Sequence, residues 1–318
     1  MSPNFRPYRT EDDFWAMREF LRQVFLLNNR RERSWHVARL DYARWHVFPN
    51  CAQVRLEDVV FLWESDGQIV AFLLPDGDLG EAHLCVHPSL RTPALEEEMT
   101  TVAEERLAAV APDGARTLRI WASEQDALRQ DILARRGYRQ DDWTEHQWRR
   151  RLDAPLPTAP VPPGYEIRAL GTGLELLERC YASGLGFHNG DIQIAVDNRT
   201  DPSWYRNIQN APLYRRDLDL VALGPEGDIA AFCTIWFDDT TRSACFEPVA
   251  TVPAHQRRGL GKALMVEGLH RLQRMGATTA FVGGYTHAAN ALYQAVMGSD
   301  HERYESWIRE WSPHPPER

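Results

Sequence analysis

The chain repeats itself. The stretch VVFLWESDGQIVAF at 59–72 returns as DLVALGPEGDIAAF at 219–232. Each reads as an apolar strand, a polar turn holding Gly67 or Gly227, and a second apolar strand, which is the pattern of a β-hairpin. FRPYR at 5–9 corresponds to YEIRA at 165–169 as an opening strand. GARTLRIW at 114–121 corresponds to GATTAFVG at 276–283 as a strand after a helix, and ILARRGY at 132–138 to LYQAVMG at 292–298 as the close of a last helix. Four correspondences in one order, each about 160 residues apart, describe a duplicated domain and not a solenoid, whose repeat is roughly 20 to 50 residues. Each half spells strand, helices, hairpin, further strand, long helix, strand, helix, strand. That predicts an α/β (α+β) fold of two tandem domains, each a mixed, mostly antiparallel sheet covered by helices. A proline-rich stretch, DAPLPTAPVPPG at 153–164, reads as a stiff extended spacer between a domain at 1–152 and another at 165–318.

With 318 residues the chain has room for two domains of ordinary size. No apolar run approaches the roughly 18 residues of a membrane span. The opening MSPNFRPYRTEDDF lacks the apolar centre of a secretory signal, and Cys51, Cys85, Cys180, Cys233 and Cys245 form an odd, scattered set. A cytoplasmic protein with reduced thiols is therefore expected. The net charge of −9, without a long basic stripe, argues against nucleic acid as a partner.

The strongest local signal lies at 252–264, VPAHQRRGLGKAL. An apolar strand, SACFEPVAT (243–251), leads through Pro253 to Gln256-Arg257-Arg258-Gly259-Leu260-Gly261, which opens a helix. On that helix Leu264, Met265, Gly268, Leu269, Leu272 and Met275 share one arc, and Glu267, His270, Arg271 and Arg274 the other. Gly276 suits the helix end. The first N–H groups of a helix lack internal partners and point outward, so a Gly-rich, basic start is a place for phosphate. Ala263 stands where a Walker A loop needs Ser or Thr, and Leu264 where a dinucleotide fingerprint needs its third Gly. The competing reading is an ordinary helix start with its arginines in solvent.

QRRGLGKA after a strand resembles the acyl-CoA pyrophosphate loop of the GNAT acetyltransferase superfamily. The order from EPVAT through the loop to ANALYQAV resembles that family's cofactor-binding core, and the two-copy layout resembles its tandem members. The resemblance implies an acetyl-CoA-dependent N-acyltransferase that acts on an amine by direct attack, without metal and without a covalent enzyme intermediate. It implies that Val249, Ala250 and Thr251 offer backbone donors to the donor's carbonyl and pantetheine. Gln256, Arg257, Arg258, Gly259, Leu260, Gly261 and Lys262 would form the pyrophosphate loop, with Asn290 beside it. Tyr293 would face the departing thiolate, although Met297-Gly298 replaces the family's usual Gly-Phe. The position at which several relatives carry a basic Glu holds Cys245, so Glu247, two residues on and on the same side of the strand, is the candidate base. Its alternative is a strand-end Glu with a structural hydrogen bond. Phe187, His188 and Asp191 fall where acceptor-covering segments would lie; exposed loop residues are the alternative.

In the first half, aligning VHPSLRTPALEE on the loop puts Arg91 at Gln256 and sets Ala94 and Glu96 at Gly259 and Gly261, with Leu133 at Tyr293. Pro93 also removes an N–H, and Glu96 and Glu97 would repel phosphate. One acyl-CoA per chain, in the second half, is expected. His83, Cys85 and His87 alternate on one strand face, but a fourth zinc ligand is not evident. Trp35, His36, Trp45 and His46 are expected to pack between domains. The acceptor is expected to be a small-molecule amine. A protein amine, or a non-catalytic acyl-CoA sensor, are the alternatives.

Overall fold

The structure, a computed structural model, describes residues 3–312. The chain divides into two compact units. One comprises the residues up to His146 together with those from Glu302 on, and the other is Gln147–His301.

The first unit carries strands β1 (Asn4–Pro7), β2 (Phe61–Ser65), β3 (Gln68–Leu74), β4 (Glu81–Val86), β5 (Ala109–Val110) and β6 (Arg116–Ser123). Its helices are α1 (Glu11–Leu27), α2 (Val37–Tyr42), α3 (Leu56–Val59), α4 (Pro93–Arg106) and α5 (Ala127–Arg135). Strand β7 (Arg139–Arg151) follows. In the second unit come β8 (Glu166–Ala169), α6 (Leu174–Phe187), α7 (Ile192–Thr200), α8 (Ser203–Gln209), β9 (Asp219–Leu223), β10 (Ile229–Asp238) and β11 (Ser243–Thr251). Then follow α9 (Leu260–Arg274), β12 (Thr279–Gly284), α10 (His287–Met297) and β13 (His301–Trp311).

The duplication is visible in the pairing. β1, β2, β3 and β4 form an antiparallel run, and β4 is parallel to β6. β8, β9, β10 and β11 form the second antiparallel run, and β11 is parallel to β12. Both expected hairpins form. Asp66 and Gly67, with φ of 52° and 75°, turn the first as a two-residue loop that twists with its strands.

The units do not end where the proline-rich stretch suggests. β13, the last strand of the sequence, pairs with β6 from Tyr304↔Ser123 to Trp311↔Arg116 and so belongs to the first unit. The stretch 153–164 lies inside the second unit, with Leu156 and Ala159 packed on its core. Proline withholds N–H groups from a ladder, but it leaves side chains free to bury apolar surface.

The Trp- and His-rich stretch 34–50 does not form one regular α-helix. α2 gives way at Ala43 to a wider, π-type helix through Ala52, with Pro49 inside it. A proline within a helix lacks the donor of the regular ladder. The rings of that segment pack within the first unit: His36 on Phe25 at 5.0 Å, Trp35 on His83 at 5.0 Å, and Trp45 on Phe14 at 5.2 Å. The arc expected on α9 is the buried one: Leu264, Met265, Gly268, Leu269 and Leu272 all face the core with Ile235, Phe246 and Val282. No helix among the described residues is long and apolar enough to cross a membrane.

Candidate active site

The site begins with an irregularity in β11. Cys233 pairs with Val249 and Ile235 with Phe246, so Glu247 and Pro248 together oppose the single residue Thr234. Such a bulge bends the strand and resets which face each side chain takes. Phe246 and Val249 both meet the α9 core. By alternation Glu247 takes the opposite face, as Cys245 does. So does Ala250, which lies against Gly186 of α6, where an added Cβ would stand 3.1 Å from the Ala250 methyl carbon. The Trp236 indole N–H donates to the Glu247 carbonyl at 2.5 Å and fastens the bulge.

Beyond the bulge the sheet opens. β11 pairs with β12 only through Ser243↔Thr279, Ala244↔Ala280 and Cys245↔Phe281. From Phe246 to Thr251 the strand is paired with β10 alone, so its backbone groups on the other edge need partners of another kind. Val249, Ala250 and Thr251 stand on this free edge.

The loop after the strand is built for close approach. A single turn, Pro253–His255, comes first. His255 is held on both ring nitrogens, by Asp228 at 2.8 Å and by the Tyr165 hydroxyl at 3.0 Å. Gln256 turns back and donates to the Thr251 carbonyl at 3.1 Å, and Arg258 donates to Ala254 O at 3.4 Å. Arg257 and Gly259 are left-handed, with φ of 63° and 85°. Gly259 is the N-cap of α9 and offers no side chain to cap it. The N–H groups of Leu260, Gly261 and Lys262 therefore have no side-chain cap, the kind of helix start that suits an anion. Leu260 contributes only its backbone there, because its side chain is 1% exposed and belongs to the core.

α10 closes the other side. Its N-cap is Thr286, whose hydroxyl accepts from Ala289 N at 3.2 Å. Tyr293 is 7% exposed. Gly284, at the end of β12, leaves room for it: an added Cβ would lie 2.3 Å from Asn290 Oδ1 and 3.0 Å from Tyr293 Cδ2. Asn290 Oδ1 accepts the Trp148 indole N–H at 2.8 Å, so this residue braces α10. Burial, and after it the charge of Glu247, pushes the Tyr293 phenol far above its ordinary range, with Cys233 and Cys245 adding to the effect. Tyr293 thus lies within the electrostatic reach of Glu247, Cys233 and Cys245.

Of the acceptor-side candidates, Phe187 stacks edge-on with Phe232 at 5.8 Å and is half exposed. His188 caps the C-terminal end of α6 and is exposed. Asp191 caps α7, accepting from Gln193 N at 2.9 Å and Ile194 N at 3.2 Å. The turn that carries them reaches the loop after β11 at Gly190, where an added Cβ would sit 3.4 Å from Pro253 Cγ.

The first unit has the same parting and a different content. β4 pairs with β6 only through Glu81↔Arg119 and Ala82↔Ile120. Past it, the Arg129 guanidinium donates to Leu84 O of β4 at 3.2 Å and to Trp121 O of β6 at 3.4 Å. Glu96 neutralises it at 3.0 Å and also holds Arg91 at 2.5 Å. Helix α4 begins after the N-cap Thr92 and α9 after Gly259, so counted from the caps Ala94 answers to Gly261. The expected equivalence of Glu96 with Gly261 is therefore two residues off, because the first loop is shorter. Leu133 does answer to Tyr293, each seven residues after its N-cap, Asp126 or Thr286.

The comparisons agree with this geometry. A family model described as "Acetyltransferase (GNAT) family" matches residues 191–298. A protein named mycothiol acetyltransferase from Paenarthrobacter aurescens (strain TC1) is 26% identical over 244 residues, which is 71% of this chain and 69% of that protein. Residues 191–298 thus match the GNAT acetyltransferase family. The chain's tandem layout is shared with a tandem GNAT protein from the clavulanic acid biosynthesis pathway, at 17% identity and a TM-score of 0.62, covering 98% of this chain and 99% of that one. A GCN5-related N-acetyltransferase from Sphaerobacter thermophilus is similar over 98% of this chain and 96% of its own, at 18% identity and a TM-score of 0.61. GNAT enzymes use an acyl-CoA donor and an amine acceptor, and the uncapped loop of 256–262 suits such a donor's phosphates.

Sequence reasoning missed three features of this site. The bulge at Glu247-Pro248 left no mark beyond a proline in a strand, which is one of the few signals for such a break. His255 and Asp228 read as loop polar residues. Arg179 was passed over on α6, although it stands on the buried arc with Leu176, Cys180 and Ser183. It is fully buried, 3.5 Å over the Phe232 ring, near Asp219. Asp219 in turn accepts from the Tyr205 and Tyr214 hydroxyls at 2.7 and 2.8 Å and from Thr234 at 3.2 Å. Thr234 is the residue opposite the bulge, so this network supports the bend from behind.

In the first unit, His83 and Cys85 are buried on β4 and His87 lies past its end. Burial pushes the Cys85 thiol up to about 12. The possible ligands that do converge are Asp76, Glu81 and His83, within 4.8 Å of one another. Asp76 is ion-paired to Arg39 at 2.6 Å and Glu81 accepts from Trp121 Nε1 at 2.6 Å, an arrangement satisfied by protein donors.

Proposed function

We propose that the second unit transfers an acetyl group from acetyl-CoA to the amine of a small molecule by direct attack. The observation that carries this reading is the opening of β11 from β12, with the uncapped loop at its end and Tyr293 and Glu247 at its sides. Gln256 to Lys262 hold the pyrophosphate through backbone N–H groups, with Arg257 and Arg258 adding charge. The free edge at Val249, Ala250 and Thr251 orients the pantetheine and meets the negative charge that develops on the carbonyl oxygen.

Glu247 takes the amine proton, directly or through a water. It lies on the face that α6 covers, the side from which an acceptor passing Phe187 arrives. The Tyr293 hydroxyl gives a hydrogen bond to the departing sulfur. Its raised pKa keeps it protonated at neutral pH, and a thiol at about 8.5 is already the stronger acid. Its role is therefore to stabilise the thiolate and not to hand over a proton. Asp191, engaged as a helix cap, and exposed His188 are peripheral to this chemistry.

The relative named mycothiol acetyltransferase favours a small-molecule acceptor over a protein amine. The test is release of free CoA thiol from acetyl-CoA in the presence of a panel of small primary amines and of peptides with free N-termini or lysines. Turnover on small amines is expected. Turnover on peptides alone would overturn the acceptor class. Tight acetyl-CoA binding with no turnover on any amine would make the chain a sensor.

A further inference from the structure

We propose that the first unit holds a site for a small anion bearing a carboxylate or phosphate group, in the cavity at the mouth of the parting between β4 and β6. The cavity measures about 230 Å3, and Arg33, Arg91, Arg129, Ser34, Gln125 and Asp126 are among the residues that line it. Its contents are unlike those of the second unit's opening, and they follow from the side chains that fill the cleft behind it.

Arg129 and Arg91 are arranged as a wall. Arg129 is 5% exposed, fixed to both strands' carbonyls and to Glu96. Arg91 is held by Glu96 and by both oxygens of Asp126, at 2.8 and 2.7 Å. Asp126 also caps α5, accepting from Arg129 N at 3.2 Å. Both carboxylates are thus directed into the wall. Arg33 adds a third guanidinium, and its partner is neutral, the Gln125 amide oxygen at 3.3 Å. Three guanidiniums against two carboxylates leave a surplus positive charge at the cavity. Ser34, 9% exposed, accepts from Val86 N at 3.2 Å through its oxygen, so its O–H remains to donate. Guanidinium groups match the planar or tetrahedral oxygens of carboxylate and phosphate, and a buried hydroxyl donor suits the same acceptors. A cation is repelled here. A pantetheine arm is barred, because Arg129 already spans the two strands it would lie between.

The site is independent of the donor loop in the second unit, and the experiment separates the two. Calorimetry is run on the full chain carrying Gly261→Glu, at fixed ionic strength in chloride, with inorganic phosphate and with succinate as probes. Saturable binding of one probe molecule per chain is expected, weakened roughly tenfold or more by adding Arg33→Glu, because a like charge then faces the anion. Arg33 is exposed, so that change is carried by surface. Should the double variant fail to fold, Ser34→Ala provides the second arm, with a severalfold loss expected. Tighter phosphate assigns a phosphate-bearing ligand, and tighter succinate a carboxylate-bearing one. Absence of binding by both probes, or binding indifferent to Arg33→Glu and to Ser34→Ala, would overturn the proposal. So would binding that is present in the parent chain and lost with Gly261→Glu, since it would then belong to the second unit's loop.

Discussion

The two partings of parallel strands, β4 from β6 and β11 from β12, are the same device with opposite contents. In the first, a guanidinium takes the carbonyls of both strands, and a carboxylate with no exposure to solvent takes the guanidinium. In the second, the residue three places after the α10 cap is Ala289, where Arg129 stands three places after the α5 cap. There the strand edge from Phe246 on is paired with β10 alone, and the proposed site places Tyr293 and Glu247 beside it. The difference teaches that a degenerate copy is not an empty one. Opening a sheet leaves backbone groups that require partners, and in the first unit the chain supplies them itself. In the second unit the proposed function leaves them to the acetyl-CoA donor.

The comparison breaks most completely at Gly261. A Cβ there would lie 3.1 Å from Leu292 Cδ2, and a carboxylate would face the phosphates. Gly261→Glu is expected to weaken acetyl-CoA binding on the order of a hundredfold or more, read by calorimetry.

Of comparable size is the removal of the first unit's internal pairing. Burial, the largest influence on Glu96, works to raise its pKa, but the charges and hydrogen bonds of Arg129 and Arg91 outweigh it and leave the pKa lowered. A lowered folded pKa contributes stability that is present above the unfolded value of about 4.3 and is lost as pH falls through the folded value. Glu96→Ala strands two buried or half-buried arginines and is expected to cost about 3–5 kcal/mol at neutral pH. Denaturant titration should show that cost shrinking as the parent is acidified below the ordinary Glu range. Acetyl-CoA affinity should be unchanged in the variant wherever it is folded, since the proposed donor site lies in the second unit.

Tyr293→Phe sharpens the comparison by giving the second cleft the first's apolar residue type. The expected loss is roughly a hundredfold in kcat, with KM for acetyl-CoA nearly constant, because the hydroxyl matters as the sulfur gains charge. An unchanged kcat would remove Tyr293 from the chemistry. The smallest effect is expected from Glu247→Gln, a drop of about tenfold at neutral pH that recovers as the amine deprotonates unaided. The pH–rate profile should be displaced upward, and one superimposable on the parent's would exclude Glu247 as base.

Much of this was legible from residue patterns. The hairpins at Gly67 and Gly227, the apolar arc of α9 and the glycines at 259 and 261 each follow a local rule, and the structure obeys them. Leu133 was matched to Tyr293 because helix caps hold the count. What was hidden depends on partners remote in sequence. β13 pairs with β6, some 190 residues earlier, and no periodicity in WIREW distinguishes that partner from a nearer one. The loop between Val86 and Thr92 is two residues shorter than its counterpart, which misplaced Glu96. That shift hid the main point: Glu96 faces Arg129 inside the unit, and does not face solvent as a repellent. The bulge at Glu247 escaped for a similar reason, since it is defined by register against β10.

The central claim is that one cleft is filled by the chain and the other by the donor. Its most direct test is the stoichiometry of acetyl-CoA binding to the full chain by calorimetry. One molecule per chain, lost with Gly261→Glu and retained with Glu96→Ala under conditions where that variant is folded, is the predicted result. Two molecules per chain, or one that survives Gly261→Glu, would contradict it.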